Sequence, residues 1–471
     1  MKKSVFVVLV LAFSQLVVSQ DISGDWNAAL NAGGQELPLI FHITQDDTGY
    51  SGTMDSPNQG ANGIPLSEVG FTENTLSINI ARLGILYSGT LNENGDIEGT
   101  FQQSGLEFPL NLTRGEATAI VQNRPQEPKA PYPYRVEEVT FENKTANLTL
   151  AATVTLPNVL FRGKQKLPAV ILISGSGPQN RDEELLGHKP FLIIADYLTR
   201  QGIAVLRYDD RGTAQSTGDF SSATSADFAT DAQAAFEYLK SHPDIDPTKI
   251  GFAGHSEGGI IAPMVAAMNK EVAFISLLAG VGQPSDELLL DQGYLIAKAQ
   301  GATEDQLIIN RGLARGLFKI IKTNTTYNAD LIKNEFSRFL TEYIAKNPEV
   351  IPTGIAQETF IDQQLNTVAT KWFHYFLNYN PAPILQQVSC PVFAVNGSLD
   401  LQVPAKKNLS AIEAALKKGG NTNVTTVEIP NLNHLFQTAK TGSPSEYANI
   451  EETFSPKVLS ILGEWIKDTV E

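Results

Sequence analysis

The feature that most constrains the fold is an alternation of buried strands and helices that begins after Arg135. The run "PAVILISG" is continuously apolar, as expected of a strand covered on both faces of a parallel sheet. "IAVLRYDDRG" and "KIGFAGHS" are further strands, and "FLIIADYLTRQG" and "SADFATDAQAAFEYLKSH" between them have helical spacing. The alternation predicts a doubly wound α/β domain whose site lies at the carboxyl ends of the strands.

A long helical block interrupts this alternation between Gln283 and Asn380, and strands resume with "CPVFAVNGSLD" and "TTVEIPNLNH". A block placed between two strands of one sheet must leave the sheet and return to it, so we predict a helical lid over residues 283–380, close to the site. Most aromatic residues of such a segment belong to a core. Three aromatic residues of "TKWFHYFLNY" are candidates for an acyl or aryl pocket: Trp372, Phe373 and Phe376.

Residues 20–114 are predicted to form a small all-β domain, either a barrel or a sandwich. Short segments with partial alternation, such as "ELPLIFHIT" and "ILYSGTL", are typical of strands, and Asn94-Gly95 is a strong hairpin signal. The proline-rich run "NRPQEPKAPYPYR" predicts a semi-rigid linker over residues 115–134. The α/β domain is therefore assigned to residues 135–471.

The N-terminus has the pattern of a secretory signal peptide. Lys2 and Lys3 precede a short apolar run, and Val17 and Ser19 occupy the small-residue positions of a cleavage site. We therefore expect a signal peptide over residues 1–19 and export to the periplasm or the exterior. The apolar run is short for a membrane anchor, and no later segment has a long uncharged apolar run, so no membrane association is expected after cleavage.

Charge and cysteine content exclude several other functions. With 35 basic and 51 acidic residues, the formal net charge is −16, which disfavours nucleic acid and anionic membranes as partners. Cys390 is the single cysteine, so neither an intramolecular disulfide nor a thiolate metal cluster can form. The six histidines show no metal-ligand spacing. We expect no metal and no organic cofactor.

The segment "GHSEG", residues 254–258, fits the pattern G-x-S-x-G between a predicted strand and a predicted helix. A serine on such a bend is held in strained backbone conformation, with its hydroxyl exposed at the edge of the sheet. The start of the following helix favours negative charge. The motif alone is weak, and the alternative is a chance cluster of turn residues. Its place after a buried strand favours Ser256 as a nucleophile.

A serine nucleophile needs a base, and the base needs a carboxylate that orients it. In α/β enzymes with a nucleophile on such a bend, the chain order is serine, acid, histidine. Asp400 follows the strand in "VFAVNGSLD", and His434 follows the strand in "TTVEIPNLNH". His374, the other histidine after Ser256, falls in the predicted lid, and His255 should point away from the hydroxyl. The sequence thus predicts a triad of Ser256, Asp400 and His434.

The tetrahedral intermediate of such a reaction needs hydrogen-bond donors for its oxyanion. The N–H of Glu257 is one candidate, and the loop "ISGSGPQNRDE" should supply the other, from Ser176 first and Gly177 next. A phosphate-binding loop is the rival interpretation, but no Gly-Lys-Ser/Thr follows. Charged residues of this loop and the next are expected to brace both loops through ion pairs: Arg181, Asp182, Asp209, Asp210 and Arg211.

Five segments together resemble secreted bacterial α/β-hydrolases related to cinnamoyl-ester and other short-chain acyl esterases: "ISGSGPQNRDE", "VLRYDDRGTAQSTGDF", "FAGHSEGG", "VNGSLDLQVP" and "NLNH". The opening "DISGDW" resembles the start of the β domain that precedes the hydrolase domain in that group. The resemblance covers nearly the whole mature chain. It implies an α/β-hydrolase fold with a nucleophile at Ser256, a base at His434, an acid at Asp400 and oxyanion donors at Ser176 and Glu257.

Two positions depart from the pattern of that group, and both lie in the predicted oxyanion loop. Asn180 stands where the group usually has aspartate, and Ser174 stands where many of its esterases have histidine. Neither change removes a backbone donor.

The residues and the resemblance together predict a serine hydrolase that cleaves a carboxylic ester of a small molecule through an acyl-enzyme intermediate. A serine aminopeptidase of the proline-iminopeptidase type is the alternative, because related sequences are often assigned that activity. Such an enzyme needs an acidic cluster facing Ser256 to hold the substrate amine. The lid offers four candidates: Glu304, Asp305, Glu335 and Glu342. A third alternative is a non-catalytic binding protein, with Ser256 and His434 too far apart to hydrogen-bond.

Overall fold

The structure, a computed structural model, describes residues 21–32, 35–46, 49–57, 61–80, 83–103, 106–115, 123–158, 166–351 and 357–471. The predicted signal peptide and part of the predicted linker lie outside the described residues. The chain forms two compact units, one from the part before residue 120 and one mainly from residues 120–471.

The N-terminal unit is an antiparallel barrel. Its strands are β1 (Gly24–Ala32), β2 (Gln35–Asp46), β3 (Gly49–Ser56), β4 (Ala61–Pro65), β5 (Glu68–Thr72), β6 (Thr75–Ile80), β7 (Ile85–Leu91), β8 (Ile97–Gln103) and β9 (Leu106–Arg114). They are ordered β2-β1-β9-β8-β7-β6-β5-β3-β4, and a further pairing of β2 with β3 closes the ring. Large side chains fill the interior, among them Trp26, Phe41, Tyr87 and Phe101, each at most 2% exposed. The β2–β3 pairing decides between the two predicted architectures in favour of a barrel.

The second unit is built on a mixed sheet in the order β10-β11-β13-β12-β14-β15-β16-β17. Its strands are β10 (Arg135–Asn143), β11 (Leu148–Leu156), β12 (Leu167–Ile173), β13 (Ala204–Tyr208), β14 (Ile245–His255), β15 (Ile275–Leu278), β16 (Val392–Gly397) and β17 (Val424–Ile429). The pairings from β13 to β17 are parallel, and those of β10 with β11 and of β11 with β13 are antiparallel. The alternation predicted the parallel strands, whereas β10 and β11 precede it.

Helices cover both faces of this sheet, as strands that are apolar on both sides require. They are α1 (Pro190–Arg200), α2 (Ser225–Ser241), α3 (Gly258–Met268), α10 (Ala405–Lys418) and α11 (Pro456–Val470). Helices α1 and α11 share one apolar layer with the sheet, and α2, α3 and α10 share the other. This two-layer burial presents the carboxyl ends of the parallel strands at one edge.

Between β15 and β16 the chain forms a set of helices that we call the helical insertion. It comprises α4 (Ser285–Ala299), α5 (Glu304–Thr323), α6 (Ala329–Lys346), α7 (Gln357–Val368) and α8 (Lys371–Asn378), and the short α9 (Ala382–Leu385) follows it. The insertion has an apolar cluster of its own around Ile332, Phe336 and Leu340, all fully buried. Of the helices that the structure describes, none combines the length and the apolar composition needed to cross a membrane.

The described part of the predicted linker is attached to the second unit rather than free. The guanidinium of Arg124 donates hydrogen bonds to loop carbonyls that include those of Gly187 and Ile450. The Gln126 amide accepts from the Thr453 N–H and donates to the Phe454 carbonyl. The proline content predicts a stiff segment, but it carries no information about these loop partners.

Candidate active site

Ser256 lies on the bend between β14 and α3. Strand β14 ends at His255 and helix α3 begins at Gly258, so the turn is two residues long. Ser256 has a φ of 51°, in the left-handed region that residues other than glycine rarely adopt. Its N–H donates to the Leu278 carbonyl of β15 at 2.9 Å, which anchors the bend to the neighbouring strand.

The two glycines of the motif allow the bend to pack against backbone. A Cβ atom on Gly254 would lie 2.1 Å from the Gly258 oxygen, and one on Gly258 would lie 2.2 Å from the Ile173 oxygen at the end of β12. Real Cβ atoms do not approach oxygen this closely. The glycines therefore let Ser256 sit directly against the start of the loop that follows β12.

Asp400 and His434 follow the ends of β16 and β17 and are hydrogen-bonded to each other. The His434 Nδ1–H donates to Asp400 Oδ2 at 2.9 Å, and the two side chains are 5% and 0% exposed. Asp400 Oδ1 accepts the backbone N–H groups of Gln402 and Val403, each at 2.8 Å. The turn thus orients the carboxylate, the carboxylate holds the proton on Nδ1, and Nε2 is left as the basic nitrogen of His434.

Ser256 and His434 line the same cavity, which has a volume of about 240 Å³. Its apolar side is formed by Val281, Leu288, Leu289, Trp372, Phe376 and Leu435. Its polar side includes Gln179, His188, Gln292, Gln402 and Thr453. The structure therefore brings the predicted nucleophile and base to one cavity, with the predicted acid behind the base.

The loop after β12 reaches this cavity through Gly175 and Ser176. A Cβ on Gly175 would lie 3.3 Å from the Cβ of Ser256, so a larger residue there would crowd the nucleophile bend. Its N–H donates to Glu183 Oε1 at 2.7 Å and is engaged there. Gly177 is absent from the described lining residues, which leaves Ser176 as the candidate donor of this loop beside Glu257. Gly175 was not among the residues predicted for the site, although it is the first glycine of the loop.

Two of the three predicted pocket aromatics line the cavity. Trp372 and Phe376 lie one helical turn apart on α8 and stack with ring centroids 5.0 Å apart. Phe373 does not line the cavity: it packs into the apolar cluster of the helical insertion, 6.3 Å from the ring of Phe318. Its prediction as a pocket residue is wrong because adjacent residues of a helix point about 100° apart, whereas residues i and i+4 share a face.

His255, the residue before the nucleophile, forms a buried ion pair with Glu183. Its Nδ1 lies 2.8 Å from Glu183 Oε1, and its Nε2 lies 3.0 Å from the His434 carbonyl oxygen. Both partners are acceptors, so both ring nitrogens donate and the ring is an imidazolium. Burial disfavours that charge, but Glu183 outweighs burial and raises the pKa of His255 above its ordinary value. The pair connects the nucleophile bend to the backbone of the predicted base.

Glu257, the residue after the nucleophile, has a side chain that is only 2% exposed. Its Oε1 accepts from the Ser225 hydroxyl at 2.5 Å and from the Trp372 indole N–H at 2.8 Å. Burial raises the pKa of Glu257 above its ordinary value, although the surrounding donors act in the opposite direction. Only the backbone N–H of Glu257 was predicted from the sequence to belong to the site; the role of its side chain was not.

The acidic residues proposed to hold a substrate amine do not lie at the cavity. Glu304, Asp305, Glu335 and Glu342 are absent from its described lining, where the carboxylate is that of Glu183. None of these four residues is therefore placed beside Ser256 to hold a substrate amine. Across the described ranges, no group of three or more histidine, cysteine or acidic side chains is arranged to hold a metal ion.

The loops after β12 and β13 are braced by ion pairs, with one exception to the prediction. The Arg181 guanidinium binds Asp209 through two contacts of 3.0 and 2.7 Å. Asp210 instead accepts from the Ser174 hydroxyl at 2.8 Å and from the Gln179 N–H at 2.9 Å, and burial raises its pKa well above the ordinary value. Two further ion pairs anchor these loops: Asp182 pairs with Arg207 of β13, and Arg211 pairs with Asp231 of α2.

Comparison with known proteins gives one family match and several distant relatives. The model of the family described as X-Pro dipeptidyl-peptidase (S15 family) matches residues 147–435. Esterase EstD of Thermotoga maritima is 25% identical over 374 residues, 76% of this chain and 78% of that protein. Polyketide transferase claH of Penicillium crustosum is 30% identical over 145 residues, 28% of this chain and 44% of that protein.

Among solved structures, the alpha/beta hydrolase GrgF from Penicillium sp. sh18 aligns with a TM-score of 0.42 at 17% identity, covering 71% of this chain and 99% of that chain. The residues that the family model matches run from the start of β11 to just past β17. They include Ser256, Asp400 and His434.

Proposed function

We propose that this chain, which belongs to the X-Pro dipeptidyl-peptidase (S15) family of serine hydrolases, cleaves carboxylic esters of small acyl groups. One observation carries the proposal: Ser256, on its strained bend, opens into the same cavity as His434, which is hydrogen-bonded to the buried Asp400. The cavity of about 240 Å³ is smaller than the roughly 300–1,000 Å³ of sites for drug-sized ligands, which favours a short acyl group.

The geometry supports an acyl-enzyme mechanism. Ser256 Oγ attacks the ester carbonyl carbon while His434 Nε2 takes its proton, and Asp400 stabilises the imidazolium that forms. The backbone N–H groups of Glu257 and Ser176 are the proposed donors to the oxyanion of the tetrahedral intermediate. When the C–O bond breaks, His434 returns the proton to the departing alcohol. Water then attacks the acyl-enzyme by the same route, which releases the acid and restores Ser256.

An ester substrate is favoured over a peptide by the charges at the cavity. An enzyme that removes residues from a peptide N-terminus must hold a charged amine. The carboxylate that lines the cavity, Glu183, is already paired with the His255 imidazolium and the Gly175 N–H. The apolar face of Trp372 and Phe376 suits a short aliphatic or a cinnamoyl-type acyl group instead. The relative EstD is named an esterase, which supports the same substrate class.

A substrate panel tests the proposal against both alternatives. We expect the wild type to hydrolyse p-nitrophenyl acetate, p-nitrophenyl butyrate and methyl cinnamate. The rate of Ser256→Ala should be more than about 10³-fold lower than that of the wild type. Aminoacyl and X-Pro p-nitroanilides should be poor substrates. If the wild type cleaves the nitroanilides preferentially, the assignment changes from an esterase to a peptidase. If it hydrolyses neither class, the assignment changes to a non-catalytic binding protein.

Export is a separate part of the proposal, supported by the composition of residues 1–19 alone. We expect the full chain, expressed in a bacterial host, to accumulate outside the cytoplasm with Gln20 as its first residue. Intact mass spectrometry of the fractionated protein measures this directly. A cytoplasmic protein that retains residues 1–19 would contradict it without affecting the proposed chemistry.

A further inference from the structure

The Glu257 side chain connects three parts of the second unit that are distant in sequence. Its Oε1 accepts from Ser225 at the start of α2 and from Trp372 on α8. Because Glu257 directly follows Ser256, these contacts join the nucleophile bend to α2 and to the helical insertion.

A carboxylate suits this position for two reasons. Glu257 lies at the N-terminus of α3, where the helix dipole favours negative charge. It also receives hydrogen bonds from the side chains of Ser225 and Trp372, and bonds to an ionised acceptor are roughly twice as strong as bonds between neutral groups. The carboxylate therefore holds its donors in a fixed arrangement although it is almost fully buried.

Of these two donors, Trp372 is the one that lines the cavity. Its indole stacks on Phe376 with an interplanar angle of 19°, and both rings line the cavity into which Ser256 opens. Its Nε1–H reaches Glu257 at 2.8 Å. The position of the indole relative to the nucleophile is therefore set by the residue next to the nucleophile. Phe376 carries no polar group that could supply such a link.

We propose that Glu257 is a positioning residue that fixes the Trp372 wall of the cavity and thereby limits the length of the acyl chain the enzyme accepts. This inference rests on the proposed ester hydrolysis at Ser256. When the Glu257–Trp372 bond is removed, the indole is free to swing away from Phe376, the cavity lengthens, and longer acyl chains react faster relative to short ones.

The test is the ratio of kcat/KM for p-nitrophenyl octanoate to that for the butyrate. The ratio does not depend on the fraction of active enzyme, so partial misfolding does not move it. Trp372→Phe removes the indole donor and keeps a ring, and Glu257→Ala removes the acceptor. Each should raise the ratio by at least about tenfold, because one methylene in an apolar pocket changes selectivity by roughly 10–200-fold. The double variant should match the larger single effect, since both changes break the same bond.

Two variants serve as controls. Ser225→Ala removes another donor to the same carboxylate, but Ser225 does not line the cavity, so the ratio should stay within about twofold of the wild type. Glu257→Gln keeps an oxygen that can accept from Trp372 and should retain most of the wild-type ratio. This rescue separates positioning of the indole from general damage to the bend.

The outcomes distinguish this proposal from the proposed function. A Trp372→Phe ratio within twofold of the wild type overturns the positioning role, and it does so even if Glu257→Ala fails to fold. An equal rise in the ratio for Ser225→Ala also overturns it, because loss of any donor would then suffice. If the wild type hydrolyses no ester at all, the proposed function falls, and this inference falls with it.

Discussion

Replacement of Asp400 by asparagine tests whether this side chain sets the tautomer of His434. The Asp400 Oδ1 atom accepts the N–H groups of Gln402 and Val403. In Asp400→Asn the amide oxygen must take this place, because an NH₂ group there would face two donors. The amide NH₂ is then directed at Nδ1 of His434. That nitrogen can only accept, so the ring proton moves to Nε2, and the imidazole cannot take a proton from Ser256.

The structure therefore predicts a large loss of rate with little change in the fold. We expect kcat for p-nitrophenyl butyrate to fall by about 10⁴-fold at pH 7.5, which corresponds to about 5.5 kcal/mol of transition-state stabilisation. KM should change little, because Asp400 lies behind His434 and does not line the cavity. The circular dichroism spectrum should match that of the wild type.

The control is Asp246→Asn, the same chemical change at a carboxylate outside the cavity lining. This variant should keep kcat within about twofold of the wild type. If Asp400→Asn keeps more than about a tenth of the wild-type kcat, then Asp400 does not orient the base, and the assignment of Ser256 and His434 as a proton-transfer pair loses its basis.

Three further predictions concern the surroundings of the site. Glu183→Gln leaves His255 without its buried counter-ion. Urea titration at pH 6 should therefore show a free energy of unfolding about 3 kcal/mol lower than that of the wild type. The stabilisation by the His255–Glu183 pair is complete below pH 6.5 and is lost as the pH rises through the raised pKa of His255 in the folded protein. A difference in unfolding free energy between variant and wild type that stayed constant up to pH 10 would refute the pairing. Burial lowers the pKa of His188 to about 4. The neutral ring therefore contributes up to about 3 kcal/mol to the free energy of unfolding above pH 6.5, and this contribution is lost as the pH falls towards 4. His188→Asn should flatten the decline in unfolding free energy between these pH values, and an unchanged decline would assign it to other groups. Gly258→Ala places a Cβ 2.2 Å from a backbone oxygen and should reduce kcat by more than about 100-fold. The control is Gly293→Ala, where nothing lies within 4 Å of the added Cβ and kcat should not fall. Equal activity of the two variants would argue against the close packing at the bend.

The sequence alone was sufficient to predict the parts of the site that depend on local backbone geometry. The G-x-S-x-G pattern specifies a strand, a bend and a helix within a few residues, and Ser256 lies on such a bend. Asp400 and His434 could be selected because each follows a strand, and the carboxyl ends of parallel strands meet at one edge of a sheet. Helical phase also contained information that the sequence analysis did not use, since it separates Phe373 from Trp372 and Phe376.

Other features were decided only by the tertiary structure. Closure of the barrel depends on the pairing of β2 with β3, and attachment of the linker depends on where the loop carbonyls around Arg124 lie. Neither leaves a pattern in the local sequence, because the groups that pair belong to different parts of the chain.

The clearest case is the pair of residues on either side of the nucleophile. His255 pairs with Glu183, 72 residues away, and Glu257 with Trp372, 115 residues away. The amino-acid sequence determines the bend on which both residues lie, because backbone conformation there follows from the residues themselves. Local sequence does not determine which side chains pair with the buried charges of His255 and Glu257. A buried charge is tolerated only where donors or a counter-ion satisfy it, and the packing of the whole domain decides which groups reach it.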